Sequence, residues 1–333
     1  MLPSLVLTPP FNVTRASHVV LSVRDLAASR AFYEGVIGLE VSHADESAVY
    51  LRGLEEAAHH SLVLRRASGE PYCLRVGFRV ATAHDIERAH GFLTEQGIEA
   101  RLVEQPFQGA TLHFTDPVGT AIEFTCEMDV VSRRMQDFHL HRGASPQRLD
   151  HYQVVSHDVQ RATEFWAALG FRLTEYTATD GTDELWGAWL QRKGNTHDLV
   201  FTNGRGPRLH HFAYTVSDTQ DLIHICDCAG SQGFGDAIDR GPGRHGISNA
   251  LFVYLRDPDG HRIELFTTHY QAIDLETPPI RWDLSNLRRS QLWGPPASKR
   301  WFFEASQFPN QPVHEPLLSV TPVTLESVLL DQH

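Results

Sequence analysis

An alternating run of apolar and polar residues, followed by an amphipathic helical pattern, occurs twice along the chain. Residues 18–33 (HVVLSVRDLAASRAFY) align without a gap on residues 151–166 (HYQVVSHDVQRATEFW). In both segments a β-branched run predicts a strand, and an aspartate in the N-cap position predicts the start of a helix. Gly38 and Gly170 are placed to end these helices in a left-handed conformation. The pattern therefore predicts a duplicated chain.

A weaker repeat lies inside each half. Strand 74–80 leads to a helix from about Asp85 to Gln96, and the second half copies this with strand 210–216 and a helix from about Asp218 to Gly230. Three more alternating segments follow each helix, near 98–104, 110–115 and 121–126, and near 235–240, 250–256 and 262–267. The sequence therefore predicts an α+β fold of four βαβββ units, which form two domains of curved mixed sheet, each around a cavity.

These units imply three regions. We predict an N-terminal domain over residues 12–130, a catalytic domain over residues 148–270, and an extension over residues 271–333 that covers the site and ends in a tail. The proline-containing tail after Ser306 is expected to be an extended arm, packed on its own or a neighbouring subunit, or else disordered.

Composition narrows the function. The 333 residues include 29 Lys and Arg against 41 Asp and Glu, a net charge of −12. An acidic chain disfavours binding to nucleic acid and to membrane surfaces. Scattered cysteines, with no targeting signal and no membrane-spanning apolar run, predict a cytoplasmic protein. The 20 histidines direct attention to metal binding and proton transfer.

Three residues at corresponding places in the second half predict a metal site. His151 opens one strand, His211 lies in the strand that starts the next unit, and Glu264 lies in the last strand. Two imidazoles and one carboxylate leave an open coordination face, which suits Fe(II), with Mn(II) as an alternative. The first half retains His18 and Glu123 but has Arg75 in place of the second histidine, so we predict no metal there.

Further polar and aromatic groups flank the predicted metal site. His197 is a candidate general acid/base, and His245 and Tyr254 are candidate hydrogen-bond donors to a substrate oxygen. Trp189 offers a flat apolar wall. Arginines near the cavity mouth, at positions 240, 244, 288 and 289, predict a carboxylate on the substrate, although Arg288 and Arg289 could equally be a solvated surface pair.

Several segments resemble the type I extradiol ring-cleaving catechol dioxygenases of the vicinal oxygen chelate superfamily. They are LDH at 149–151, PRLHHFAY at 207–214, GPGRHGISNA at 241–250 and DPDGHRIELFT at 257–267. Within that family, residues 49–65, 223–230 and 239–250 are most similar to the homoprotocatechuate (3,4-dihydroxyphenylacetate) 2,3-dioxygenases.

The resemblance implies a function and a role for each candidate residue. It implies Fe(II) on His151, His211 and Glu264, O2 as co-substrate, and cleavage of a carboxylate-bearing catechol to a hydroxymuconic semialdehyde. It makes His197 the acid/base, places Tyr254 and His245 against the catechol, and lines the pocket with Trp189. It assigns the substrate carboxylate to Arg240 and Arg289, and it implies a homotetramer.

One difference from the family leaves the identity of the substrate undecided. Gln153 stands two residues after the first histidine, where the family member used for comparison has asparagine, and the longer side chain occupies more of the pocket. The alternatives are ring cleavage of another catechol, as in catechol 2,3-dioxygenases, and a metal-dependent lyase or isomerase like glyoxalase. A small-molecule sequestering protein would need neither the metal ligands nor the acid/base.

Overall fold

The computed structural model describes residues 1–298 and 300–320. The described elements follow the predicted βαβββ order four times, and they form two sheets. The strands of the first sheet are β1 (Val13–Val23), β2 (Glu40–Ala44), β3 (Ala48–Arg52), β4 (Leu62–Arg66), β5 (Cys73–Val80), β6 (Ala100–Val103), β7 (Thr111–Thr115) and β8 (Ala121–Thr125). The α+β class and the four-unit architecture are confirmed.

The second sheet repeats the arrangement of the first and adds two strands. It contains β9 (Arg148–Ser156), β10 (Arg172–Ala178), β11 (Leu185–Gln191), β12 (Leu199–Asn203), β13 (Arg208–Thr215), β14 (Ile238–Arg244), β15 (Leu251–Arg256), β16 (Arg262–Thr267), β17 (Ile280–Asp283) and β18 (Ser306–Gln307). In each sheet the first strands of the two units pair antiparallel, β1 with β5 and β9 with β13. The two additional strands, β17 and β18, come from the predicted extension.

The helices are α1 (Leu26–Arg30), α2 (Ala83–Glu95), α3 (Val159–Ala168), α4 (Thr219–Ser231) and α5 (Arg300–Phe303). Side chains of Asp25 and Asp158 accept hydrogen bonds from backbone N–H groups at the starts of α1 and α3, as predicted. The first predicted helix differs in form, because α1 is only five residues long and continues as a π-helical turn over Ala31–Ile37. This wider turn ends at Gly38, which has a φ of 93°.

The strand register relates the two halves residue by residue. His18 lies opposite Gly77, which lies opposite Glu123, and in the second half His151 and Glu264 both lie opposite Ala213. Two positions before Gly77 stands Arg75, and two before Ala213 stands His211. The sequence alignment of the halves is therefore also a structural one.

The extension and tail pack against the second sheet of their own chain. β17 adds to β10, and β18 pairs with β13. Further on, the Leu317 N–H donates to the His157 carbonyl, and the Asn203 side chain donates to the Leu318 carbonyl at 2.7 Å. The end of the tail, residues 321–333, lies outside the described residues. Over 1–298 and 300–320, no helix has the length and apolar character needed to cross a membrane.

Candidate metal centre and active site

His151, His211 and Glu264 converge from three adjacent strands, β9, β13 and β16. The Nε2 atoms of both histidines approach one carboxylate oxygen, Oε2 of Glu264, at 3.1 Å and 3.2 Å. One ligand atom from each residue lies within 4.8 Å of the others, and all three side chains are buried. Among the described residues, no other group of three or more His, Cys, Asp or Glu meets this condition.

The other ring nitrogen of each histidine is held by a neighbouring side chain. His151 Nδ1 lies 3.0 Å from Oδ2 of Asp150, to which it donates. His210 Nε2 lies 3.0 Å from the Trp301 carbonyl, which can only accept, and burial holds the pKa of His210 well below its usual range. The neutral His210 therefore accepts at Nδ1 from His211 Nδ1, at 2.8 Å. Both ligand histidines thus present Nε2 to a metal.

Asp150 and His210 were missed by the sequence analysis. Each directly precedes a ligand, and successive strand residues normally point to opposite faces of a sheet. Here the β9–β13 pairing is irregular at both places: it passes from Ala213 opposite His151 to Tyr214 opposite Leu149, skipping Asp150. It also passes from Leu209 to His211, skipping His210. These bulges let each side chain reach its neighbour's ring.

Charge at this site fits a divalent cation. Burial opposes ionisation of Glu264, but its contacts with the His151 and His211 rings outweigh burial and hold the pKa of its carboxyl well below its usual range. Burial lowers the pKa of His211 to about 4, so this ring is neutral near pH 7. Burial opposes protonation of His151, but Asp150 and Glu264 outweigh it and raise the pKa of this ring, so a cation at Nε2 would take the place of the proton. With both rings neutral, the two imidazoles and the carboxylate would form a facial donor set that fits Fe(II) or Mn(II) and leaves other coordination positions for exogenous ligands.

His197 lies against this set without belonging to it. Its ring centre is 4.1 Å from that of His151, and its Nδ1 is 2.9 Å from the Thr196 hydroxyl. Burial, and then the nearby His151, hold the pKa of His197 well below its usual range. A neutral imidazole in this position is free to accept a proton.

His245 and Tyr254 form a hydrogen-bonded pair in the same cavity. His245 Nδ1 donates to the Ser290 carbonyl at 2.6 Å, and burial followed by the charge of Arg240 lowers the pKa of His245 to about 3. The neutral ring therefore accepts at Nε2 from the Tyr254 hydroxyl, at 3.0 Å. Burial raises the pKa of Tyr254 well above 10, so its hydroxyl keeps the proton.

Two buried arginines also face this cavity. Arg240 donates to the Ser290 carbonyl and lies over the rings of Phe252 and Trp301. Arg289 donates from Nε to the Leu284 carbonyl and lies over the Trp186 ring, 5.4 Å from its centre. Arg289 is buried whereas Arg288 is exposed, so these two are not a surface pair.

The cavity has a volume of about 310 Å³. Ten of the predicted site residues line its wall: His151, Gln153, Trp189, His197, His211, Arg240, His245, Tyr254, Glu264 and Arg289. Arg244 and Arg288, also predicted near the cavity mouth, do not line it, and Arg244 instead donates to the Asn249 carbonyl and the Thr268 hydroxyl. Sequence reasoning did not single out Trp186 and Trp301, which also line it. Gln153 donates to the Thr202 hydroxyl at 3.0 Å, which fixes its amide on one side of the cavity.

We expect Asp150→Asn to weaken metal binding by about 10- to 100-fold, the usual effect of removing a partner that orients a metal ligand. Asparagine keeps the size of the side chain but loses the charge that receives His151 Nδ1–H. A chelator competition titration measures the change. Asp257→Asn is the control, because Asp257 is also buried in this half but bonds to Tyr33 outside the cavity. Equal affinity in both variants would contradict the orienting role.

Comparison with known proteins agrees with this geometry. The family described as the Glyoxalase/Bleomycin resistance protein/Dioxygenase superfamily matches residues 15–124 and 148–265, and the chain belongs to it. A solved substrate complex of homoprotocatechuate 2,3-dioxygenase from Brevibacterium fuscum, with 3,4-dihydroxyphenylacetate, is 38% identical with a TM-score of 0.88. It covers 94% of this chain and 99% of that one.

Two curated relatives are more distant in sequence. The manganese-dependent 2,3-dihydroxybiphenyl 1,2-dioxygenase of Geobacillus genomosp. 3 is 27% identical over 307 residues, 86% of this chain and 96% of the relative. The metapyrocatechase of Geobacillus stearothermophilus is 28% identical over 294 residues, 84% and 88% of the two chains. Within its superfamily, this chain is an extradiol ring-cleaving dioxygenase that uses Fe(II) or Mn(II) with O2.

Proposed function

We propose that this enzyme cleaves a catechol with a short carboxylate side chain, 3,4-dihydroxyphenylacetate, beside its diol to give a hydroxymuconic semialdehyde. The observation that carries this proposal is Arg289, a buried cation at the wall of the cavity that also contains His151, His211 and Glu264. Only its Nε donates to a described residue, which leaves the rest of the guanidinium for a ligand. A guanidinium matches the two oxygens of a carboxylate.

The roles of the site residues are part of the proposal. His151, His211 and Glu264 would hold Fe(II), and the metal would supply Lewis-acid activation of the catechol and electron transfer between the ring and O2. Arg289, with Arg240 beside it, binds the substrate carboxylate, and Trp189 packs on the ring. His197 takes up a catechol proton and returns it later. When substrate binds, the Tyr254 hydroxyl turns from His245 Nε2 and donates to a substrate oxygen.

Other features support the same assignment. The relatives include dioxygenases that act on catechols, which favours ring cleavage over the glyoxalase-like alternative. Gln153 and the metapyrocatechase relative support a second candidate, a catechol without a carboxylate. The domain limits 12–130, 148–270 and 271–333, the homotetramer and the cytoplasmic location stay predictions.

The test is oxygen uptake by metal-loaded protein given 3,4-dihydroxyphenylacetate or the uncharged 4-methylcatechol. We expect a yellow product and one O2 consumed per catechol, with 3,4-dihydroxyphenylacetate strongly preferred. Preference for 4-methylcatechol would favour the second candidate. No oxygen uptake with either catechol, in protein with stoichiometric metal, would refute the proposed substrate class.

Arg289→Met should remove the preference for 3,4-dihydroxyphenylacetate over 4-methylcatechol. We expect kcat/KM for 3,4-dihydroxyphenylacetate to fall by about 10- to 100-fold, the worth of a charge-assisted hydrogen bond, with little change for 4-methylcatechol. Arg288→Met is the matched control, because its side chain is exposed next to the same position. An equal loss for both substrates would mean that Arg289 supports the structure rather than the carboxylate.

A further inference from the structure

The first half of the chain contains a second cavity, of about 210 Å³, at the place that corresponds to the active site. Its wall includes Arg75 and Glu123, which match His211 and Glu264 in strand register. Tyr50 lies opposite Val63, as Trp189 lies opposite Val200 in the second half. The cavity has therefore kept the position and the aromatic wall of the catalytic one.

In this cavity, the residues that correspond to the metal ligands His151 and Glu264 form a hydrogen-bond network of their own. Glu123 receives His18 Nε2 at 2.7 Å, His113 Nε2 at 2.6 Å and the Gln108 amide at 2.8 Å. The bulge position that holds Asp150 in the second half holds Ser17 here, and among the described residues nothing hydrogen-bonds to His18 Nδ1. The carboxylate thus already receives three donors, and the partner that would orient His18 as a ligand is missing.

Arg75 supplies positive charge where the second half has a metal ligand. Its guanidinium makes no hydrogen bond to any described residue, although it is half-buried at the cavity wall. Arg65, also on the wall, donates to the Gln105 amide oxygen. Two guanidinium groups and one carboxylate, that of Glu123, line the cavity, so the arginines exceed the carboxylate by one positive charge.

Part of the cavity wall is apolar. Val20, Tyr50, Val63 and Leu74 pack as one cluster that borders the cavity. A ligand that suits both the cationic and the apolar part of the wall has one negative charge and a flat apolar body.

We propose that this N-terminal cavity is a second, non-catalytic binding site for a small aromatic carboxylate. Arg75 binds the carboxylate through two parallel N–H donors, and Tyr50 packs on the ring. The bound carboxylate supplies the hydrogen-bond acceptor that the Arg75 guanidinium lacks among the described residues. This site is independent of the ring-cleavage chemistry and of the metal.

The test is calorimetric titration of the metal-loaded protein with 4-hydroxyphenylacetate under nitrogen, because this monophenol is not a catechol. We expect two binding events per chain. Arg75→Met should weaken one event by about 10- to 100-fold, the loss of a charge-assisted hydrogen bond, and leave the other. Arg79→Met is the control, because it is a half-buried arginine on the same strand that does not line the cavity.

The two sites can be separated. In Arg289→Met, the titration should show only the Arg75-dependent binding event. A crystal of that variant with 4-hydroxyphenylacetate should show the ligand carboxylate on Arg75. Uncharged 4-methylphenol should not bind this site. The proposal is overturned if wild type binds one ligand per chain and Arg289→Met binds none, or if Arg75→Met changes neither event. A failure of the proposed ring cleavage would leave these outcomes unaffected.

Discussion

Replacing Glu264 with alanine is expected to empty the metal site and abolish ring cleavage. Its Oε2 atom is the point on which His151 Nε2 and His211 Nε2 both converge. Removing it leaves two neutral imidazoles and no anionic ligand for a divalent cation. Because even partners outside the coordination sphere are worth about 10- to 100-fold in affinity, we expect a larger loss here. Metal analysis after gel filtration, with oxygen uptake, measures both effects.

The duplication offers a matched control for this variant. Glu123 is buried at the corresponding register position, and it also receives two histidines. Glu123→Gln should keep full metal content and turnover, with its cost confined to the stability of the first half, which thermal unfolding reports. Stoichiometric metal in Glu264→Ala, or metal loss in Glu123→Gln, would show that the centre has been placed in the wrong half.

The repeat made most of the fold predictable. When residues 18–33 are aligned with 151–166, each strand of the first sheet has a counterpart in the second, where β17 and β18 are additional. The structure departs from this pattern where local geometry takes over, as in the π-helical turn over Ala31–Ile37. Likewise, the segment predicted as a strand near 235–240 starts with a 3₁₀ turn over Gly235–Ala237, and its strand begins at Ile238.

The candidate site was predictable wherever alternation along a strand determines which side chains face the cavity. Asp150 and His210 escaped because their contacts depend on bulges, and alternation assigns such neighbours to opposite faces. Arg289 could not be separated from Arg288 by sequence, because a short 3₁₀ turn over Leu287–Arg289 decides which of them is buried. Trp301 lies on α5, far along the chain, and only tertiary packing brings it to the wall.

The same bulges explain how the two halves diverged in chemistry while keeping one fold. The first half has bulges at Ser17 and Leu74, the positions of Asp150 and His210 in the second half. The backbone that aims the ligands is therefore common to both halves. What differs is the set of side chains that fixes each ring, together with Arg75 in place of a ligand. A few side-chain differences are thus enough to explain why we expect metal binding in the second half only.

His197→Ala is expected to keep the metal and lose the rate. His197 is not among the three converging ligands, but its ring lies 4.1 Å from that of His151 and lines the same cavity. In the role proposed for it, a neutral imidazole there accepts and returns a proton, and such a role contributes about 10²- to 10⁴-fold to rate. We expect kcat to fall by that factor, metal content to stay stoichiometric, and part of the consumed O2 to appear as peroxide.

His60→Ala is the matched control for this last variant. His60 precedes Leu62, the residue opposite Val19, by two positions, just as His197 precedes Leu199, the residue opposite Tyr152. It is equally buried, so its removal carries a similar packing cost, but it lies in the half without converging ligands. Turnover should therefore survive in His60→Ala. Full turnover in His197→Ala would remove His197 from the chemistry, and metal loss there would make it a support for His151 instead.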